Sequence, residues 1–206
     1  MARGALDVSA VTSRYPRTIT TGGASFQLSV MHALDEPDVL RFARGLPTHD
    51  LLFMRRDITN AKVLSAWVRE IGAENIVSVL ARRNGDVVGC AAVVRDLHSF
   101  SPHVGDLRVL VAPSAREQGL GRALVQESYL IALSMGLEKV TAQMTSDQRA
   151  AITVFEDLGF RVEALLRDHV RDASGGKFDI VALSLDVAAH QAKLELYGLP
   201  EAFAAS

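Results

Sequence analysis

The chain has 206 residues, 49% of them hydrophobic and 22% charged, with a mean hydropathy of +0.16 and a net charge of −2. That length supports one compact domain with a full core, and the charge balance excludes the basic stripe that a nucleic-acid backbone needs. A single cysteine, Cys90, excludes an internal disulfide, and no apolar run is long enough to span a membrane.

Residues 1–24 carry Arg3, Arg14 and Arg17 among Ser and Thr but no apolar h-region, so a disordered N-terminal tail is expected rather than a secretory signal. Residues 26–30 alternate apolar and polar, the mark of a half-buried strand. Asp35-Glu36-Pro37 then opens a helix with Leu40, Phe42, Ala43 and Leu46 on its apolar side, and Pro47 stops it. After an irregular stretch at 48–57, Thr59 or Asn60 caps a second helix, whose Val63, Leu64, Trp67, Val68 and Ile71 recur at helical spacing.

Strands at 76–81 and 87–94 flank Asn84-Gly85, a pair suited to the positive φ angles of a type I′ hairpin. Cys90 falls inside the second strand, where a buried, inert thiol in a reducing, cytoplasmic compartment is the expectation. A strand at 107–111 leads through Ala112-Pro113 to a long helix over about 117–135, closed by Gly136. Next come a strand at 140–144, a helix over 147–158 closed by Gly159, and two strands at 160–170 and 178–185. A last helix is expected over 187–197. This order predicts a mixed α/β sheet with helices packed on it, a single domain over 25–186 and a C-terminal helix and tail over 187–206.

The segment 107–124 carries the chemistry. It runs strand, short turn, then a loop with Gly119 and Gly121 that feeds straight into a helix. The first turn of a helix has unpaired N–H groups and the positive end of the macrodipole, glycines admit close backbone approach, and Arg116 and Arg122 add full charges. A pyrophosphate suits such a place. The dinucleotide fingerprint fails because Leu124 stands where its third glycine belongs, and the Walker A pattern lacks its Gly-Lys. A bare Gly-x-Gly is equally compatible with a tight strand-to-helix turn.

The wider pattern narrows the choice. Val111-x-Pro113-x-x-Arg116-x-x-Gly119-x-Gly121 resembles the acyl-CoA signature of the GNAT superfamily of N-acyltransferases. Ala151-x-x-x-Phe155-Glu156-x-x-Gly159-Phe160 is similar to that superfamily's second motif. The resemblance spans roughly residues 76–185 and implies a GNAT-like α/β fold: a mostly antiparallel sheet with a splayed central strand pair and flanking helices. It implies acetyl-CoA as acyl donor, with no metal.

In such proteins backbone amides hold the pyrophosphate, here those of Arg116, Glu117, Gln118, Gly119, Leu120, Gly121 and Arg122. The pantetheine arm would run along the backbone of Val109, Leu110 and Val111. Asp106 and His169 become the candidate catalytic bases for deprotonating an acceptor amine, although both also suit solvated strand positions. Two positions depart from the family pattern. Gln148 stands where many members have asparagine, and Phe155 replaces the tyrosine that protonates departing CoA; phenylalanine has no proton to donate. For the acceptor, paired Arg55 and Arg56 offer a carboxylate clamp, though charged loop residues are commonly just solvated. The acceptor implied is a small or amino-acid-like amine rather than a protein, with neither nucleic acid nor membrane as partner and homodimerisation as an option. Two other readings stay open: a non-catalytic acyl-CoA sensor, prompted by Phe155, and a nucleotide-binding protein of another fold.

Overall fold

The structure, a computed structural model, describes residues 8–71 and 75–196. Its elements are α1 (Val8–Thr12), β1 (Arg17–Thr21), β2 (Ala24–Val30), α2 (Glu36–Gly45), α3 (Ala61–Glu70), β3 (Ile76–Arg83), β4 (Asp86–Arg95), β5 (Val104–Val111), α4 (Leu120–Ser134), β6 (Lys139–Thr145), α5 (Arg149–Asp157), β7 (Arg161–Arg171), β8 (Lys177–Asp186) and α6 (Val187–Leu196). Expected and observed elements agree closely from residue 25 onward. Asn60 is the cap of α3, its side chain accepting from the Lys62 amide at 2.9 Å.

The N-terminal expectation needs correction. Residues 8–24 are structured: α1 packs on α4, and β1 pairs antiparallel with β2 at the sheet edge. The cause is a long-range anchor. Glu127, buried within α4, accepts a 2.5 Å hydrogen bond from the Tyr15 hydroxyl and an ion pair from Arg17. Burial, and then the Glu127 charge, push the Tyr15 phenol well above its usual range, so it stays a proton donor. Residues 1–7 and 197–206 lie outside the described residues.

All eight strands form one sheet in the order β1-β2-β3-β4-β5-β6-β8-β7. Every neighbouring pair is antiparallel except β5 and β6, which α4 connects in parallel. The two faces carry separate cores. One, with Val93, Leu107, Val140 and Leu183 at its centre, lies under α4 and α5. The other packs Leu80, Cys90 and Leu110 against Phe42, Leu64 and Val68 of α2 and α3.

The single parallel pair decides where a site can exist. The β5–β6 ladder runs from Val104↔Lys139 to Leu107↔Ala142 and then stops, while β5 continues to Val111 and β6 to Thr145. Each strand keeps its outer neighbour, β4 or β8, so the sheet opens as a wedge. Backbone groups facing that wedge need partners from elsewhere.

Candidate active site

The wedge opens toward the loop between β5 and α4. After a 3-10 turn at Pro113–Ala115, Glu117 and Gly119 both take positive φ (60° and 75°), and α4 starts at Leu120 with Gly119 as its cap. Such left-handed turns let successive amides converge on an anion, and the first N–H groups of α4 lack intrahelical acceptors. The glycine at 119 is required by contact as well as by φ, since a Cβ there would lie 2.3 Å from Thr21 Oγ1. A Cβ on Gly22 would likewise lie 2.6 Å from the Cα of Gln118. The β1–β2 turn therefore braces the loop backbone-on-backbone. Arg83 grips it from another side, donating to Gln118 Oε1 at 3.0 Å and to the Ser114 carbonyl at 2.9 Å.

A cleft of about 560 Å³ runs from this loop into the wedge. Val109, Leu110 and Val111 line it from β5, Gln143 and Met144 from β6, and Val154 and Phe155 from α5. Of the residues expected at a cofactor site, Arg116, Glu117, Gly119, Gly121, Arg122 and Gln148 also line the cleft. Two do not. The Leu120 side chain is fully buried core, and the Gln118 side chain turns to Arg83, which leaves only their backbones for the loop. Phe155 packs edge-on against Phe160, ring centroids 4.9 Å apart, so the cleft has an aromatic wall where the family pattern has a phenol.

Residues missed by sequence reasoning complete the cleft. Arg149, in the first turn of α5, adds a third guanidinium to Arg116 and Arg122. Asp50 and Asp147 line opposite lips. They are tied to one short 3-10 turn, Thr48–Leu51, that crosses the mouth. On one side Asp50 pairs with Arg116. On the other, His49 Nε2 lies 2.9 Å from Asp147 Oδ2 and 3.2 Å from Thr145 Oγ1, with its ring edge-on to Phe178. Partial burial works against the charge on Asp147, but hydrogen bonds from Thr145 and its own backbone, together with His49, hold the carboxyl below its ordinary value.

The candidate catalytic and acceptor residues separate. Asp106 sits on β5 one residue before the ladder ends, opposite Thr141 of β6, and is not itself among the residues lining the cleft, although its neighbour Leu107 is. Strand alternation puts it on the α2–α3 face with Arg108 and Leu110, and Arg108 holds its Oδ2 through Nε and Nη2, each at 2.9 Å. His169 lies apart from the cleft: it is exposed on the edge strand β7, where the β7–β8 register breaks between Leu166 and Val170, and it is not among the lining residues. Arg55 and Arg56 lie apart from it too. Both are exposed outside the cleft, and Arg56 approaches Glu70 at 3.9 Å. Cys90 is buried, and desolvation pushes its thiol up to about 12, so it is no nucleophile.

Comparison with known proteins fits this architecture. A profile described as the Acetyltransferase (GNAT) family matches residues 46–160. The fold is similar to yncA, a putative acetyltransferase from Salmonella typhimurium solved with its cofactor acetyl-CoA, at 21% identity over 80% of this chain and 95% of that one, TM-score 0.68. It is also similar to the GNAT domain of S. lividans PAT, at 15% identity over 84% and 98% of the two chains, TM-score 0.69. A third similar structure is the ribosomal-protein-S18-alanine N-acetyltransferase from Escherichia coli, at 20% identity over 79% and 94%, TM-score 0.62. No curated protein sequence matches. The profile covers more than half of the chain, including the braced loop, the wedge and α5, and on that ground the chain belongs to the GNAT acetyltransferase family.

Proposed function

We propose that the protein transfers an acetyl group from acetyl-CoA to a primary amine of a small acceptor by direct attack in a ternary complex. The observation that carries this reading is the interrupted β5–β6 ladder, opening into a cleft that ends at a glycine-capped helix N-terminus flanked by three arginines. The pyrophosphate of the donor suits the amides of residues 116–122 with Arg116, Arg122 and Arg149 around them. An extended pantetheine chain, whose amides resemble a peptide's, would serve the β5 backbone at Val109 to Val111 where β6 has left it. A backbone N–H there can stabilise the oxyanion that forms on the thioester carbonyl, an effect usually worth about 3–4 kcal/mol.

Asp106 is the proposed base, at the narrow end of the wedge. The acceptor ammonium first loses a proton; the nitrogen lone pair then attacks the carbonyl carbon, the C–S bond breaks, and its electron pair leaves on sulfur. The proton released from nitrogen on collapse balances the thiolate. Phe155 supplies none, so water or the His49–Asp147 pair takes that part. Direct attack is favoured over a covalent acyl-enzyme because the sole cysteine is buried and protonated. A cytoplasmic setting accords with that reduced thiol.

Phe155 also keeps alive a second reading, an acyl-CoA sensor without turnover. Calorimetric titration with acetyl-CoA and CoA, wild type beside Gly121→Trp, tests the site. Gly121 has room for a Cβ, 3.8 Å from the nearest Val111 methyl, while an indole there would fill the cleft. Micromolar binding lost in the variant is expected, followed by CoA release with an amine panel. Failure of both ligands to bind sinks both readings, and binding without release from any amine favours the sensor.

A further inference from the structure

The α2–α3 face of the sheet carries a charge arrangement that no comparison explains. Arg108 and Asp106 lie two residues apart on one strand and project to the same face, at the point where β6 leaves β5. Their side chains are only 23% and 25% exposed, and both Arg108 contacts fall on a single carboxylate oxygen, Oδ2. Among the described residues, Asp106 Oδ1 and Arg108 Nη1 have no side-chain partner. Across the sheet the next positions in the Arg108 row are Ala92 and Ser78. Ala92 is small, and Ser78 is fully buried with a hydroxyl that lacks any hydrogen-bond partner. A half-buried ion pair thus borders an under-satisfied polar row; neither side chain lines the cleft itself, but their strand neighbours Leu107 and Val109 do.

We infer that Asp106 and Arg108 form a zwitterion-binding pair, and that the acceptor is a free α-amino acid. The inference rests on the acetyltransferase reading above. An α-amino acid carries its ammonium and its carboxylate on one carbon, so the two charges approach as closely as those of the ion pair they would replace. Its carboxylate meets the guanidinium fork of Arg108, its ammonium meets Asp106, and one internal pair becomes two intermolecular ones. The nitrogen is then held by the group that takes its proton. It attacks the acetyl carbon of acetyl-CoA, the C–N bond forms and the C–S bond breaks. Of the two protons the ammonium loses, one ends on CoA sulfur and the other passes through Asp106 to water. Other amines fit less well. A peptide N-terminus or a lysine side chain brings no adjacent carboxylate, so Arg108 stays on Asp106 and competes with the incoming amine. A polyamine brings only cations toward Arg108.

The test compares each amino acid with its own α-amide, following CoA thiol release in wild type, Arg108→Gln and Arg108→Lys, after acetyl-CoA titration has shown each protein competent. For at least one side chain the wild type should favour the free acid by roughly 10- to 100-fold in kcat/KM, the range expected for charged hydrogen bonds. Arg108→Gln should raise KM for the acid until the preference disappears, and Arg108→Lys should restore part of it. Equal use of acid and amide, better use of peptides or polyamines, or no acetylation of any amino acid would overturn the inference while leaving the cofactor reading intact. No acetyl-CoA binding at all would remove both.

Discussion

At the β5–α4 loop, proposed above to take the donor, the geometry comes from the chain's own backbone: two left-handed residues, a helix start, and glycines whose missing Cβ atoms make room for Thr21 and Gln118. Elsewhere around the cleft it comes from side-chain pairs: His49 with Thr145, 96 residues apart, and Asp50 with Arg116, 66 apart, both joining distant segments, and beside it Asp106 with Arg108, two residues apart on one strand face. The first kind of site is stiff and ready-made for phosphate. The second is a set of partly exposed ion pairs. On the function proposed above, the difference suits a two-substrate enzyme with one donor and a selected acceptor.

The largest effects are expected where the stiff side is anchored. Glu127→Ala removes the buried carboxylate that holds Tyr15 and Arg17, and should cost about 3–5 kcal/mol in urea unfolding, the usual penalty for breaking one partner out of a buried pair. A loss under about 1 kcal/mol would show that α1 and β1 sit on the fold without supporting it. Gly22→Val comes next. With φ at +56° and backbone 2.6 Å from the new Cβ, it should cost about 2–3 kcal/mol and weaken acetyl-CoA binding by calorimetry. Gly23→Ala, where a Cβ meets nothing within 4 Å, pays only for its φ of +77°, about 1 kcal/mol, and should bind acetyl-CoA as wild type does. Similar affinities in both variants would mean the hairpin does not brace the loop.

The same contrast explains which parts were readable beforehand. The β5–α4 loop announces itself because glycine spacing and a helix start are local, and so are Asn84-Gly85 at the β3–β4 turn and Gly159 after α5. Residues 17–21 gave no such signal: Arg-Thr-Ile-Thr-Thr has one apolar residue, and the strand exists because Glu127 and the edge of β2 receive it. Arg55-Arg56 drew notice as a pair of neighbours, yet adjacent residues rarely share a target, and these two point to solvent. The arginines that line the cleft, Arg116, Arg122 and Arg149, come to it only after folding brings α5 beside α4. The place of His169 was hidden for a related reason. A histidine in a strand says nothing about which strand order the sheet adopts, and β7 is an edge two strands away from the wedge.

Smaller effects should sharpen the partly exposed side. Asp50 holds Arg116, so on the function proposed above donor phosphates would have to displace a carboxylate to use that guanidinium. Asp50→Asn removes the competitor and should tighten acetyl-CoA binding by about two- to five-fold, the scale of a partly exposed pair, with the gain shrinking as salt rises. Weaker binding in the variant would mean that Asp50 positions Arg116 for the ligand.

The smallest effect concerns the other lip, and its sign follows from linkage. The Asp147 carboxyl is held below its ordinary value of 3.8 in the fold by Thr145, its own backbone and His49, against the opposing pull of partial burial. A depressed carboxyl stabilises the fold fully above the unfolded value, and that contribution drains away as pH falls through the folded value. Asp147→Asn should therefore be less stable than wild type at neutral pH, with the two converging below about pH 3.8, the upper end of that window. Acid titrations followed by circular dichroism read the convergence directly. Because Asp147 is 60% exposed, the gap at neutral pH should be small and reduced by salt, unlike that of Glu127. A gap as large as that of Glu127→Ala, or one that persisted to pH 2, would place the His49–Asp147 contact among the structural anchors and leave Asp50–Arg116 as the only releasable tie across the mouth of the cleft.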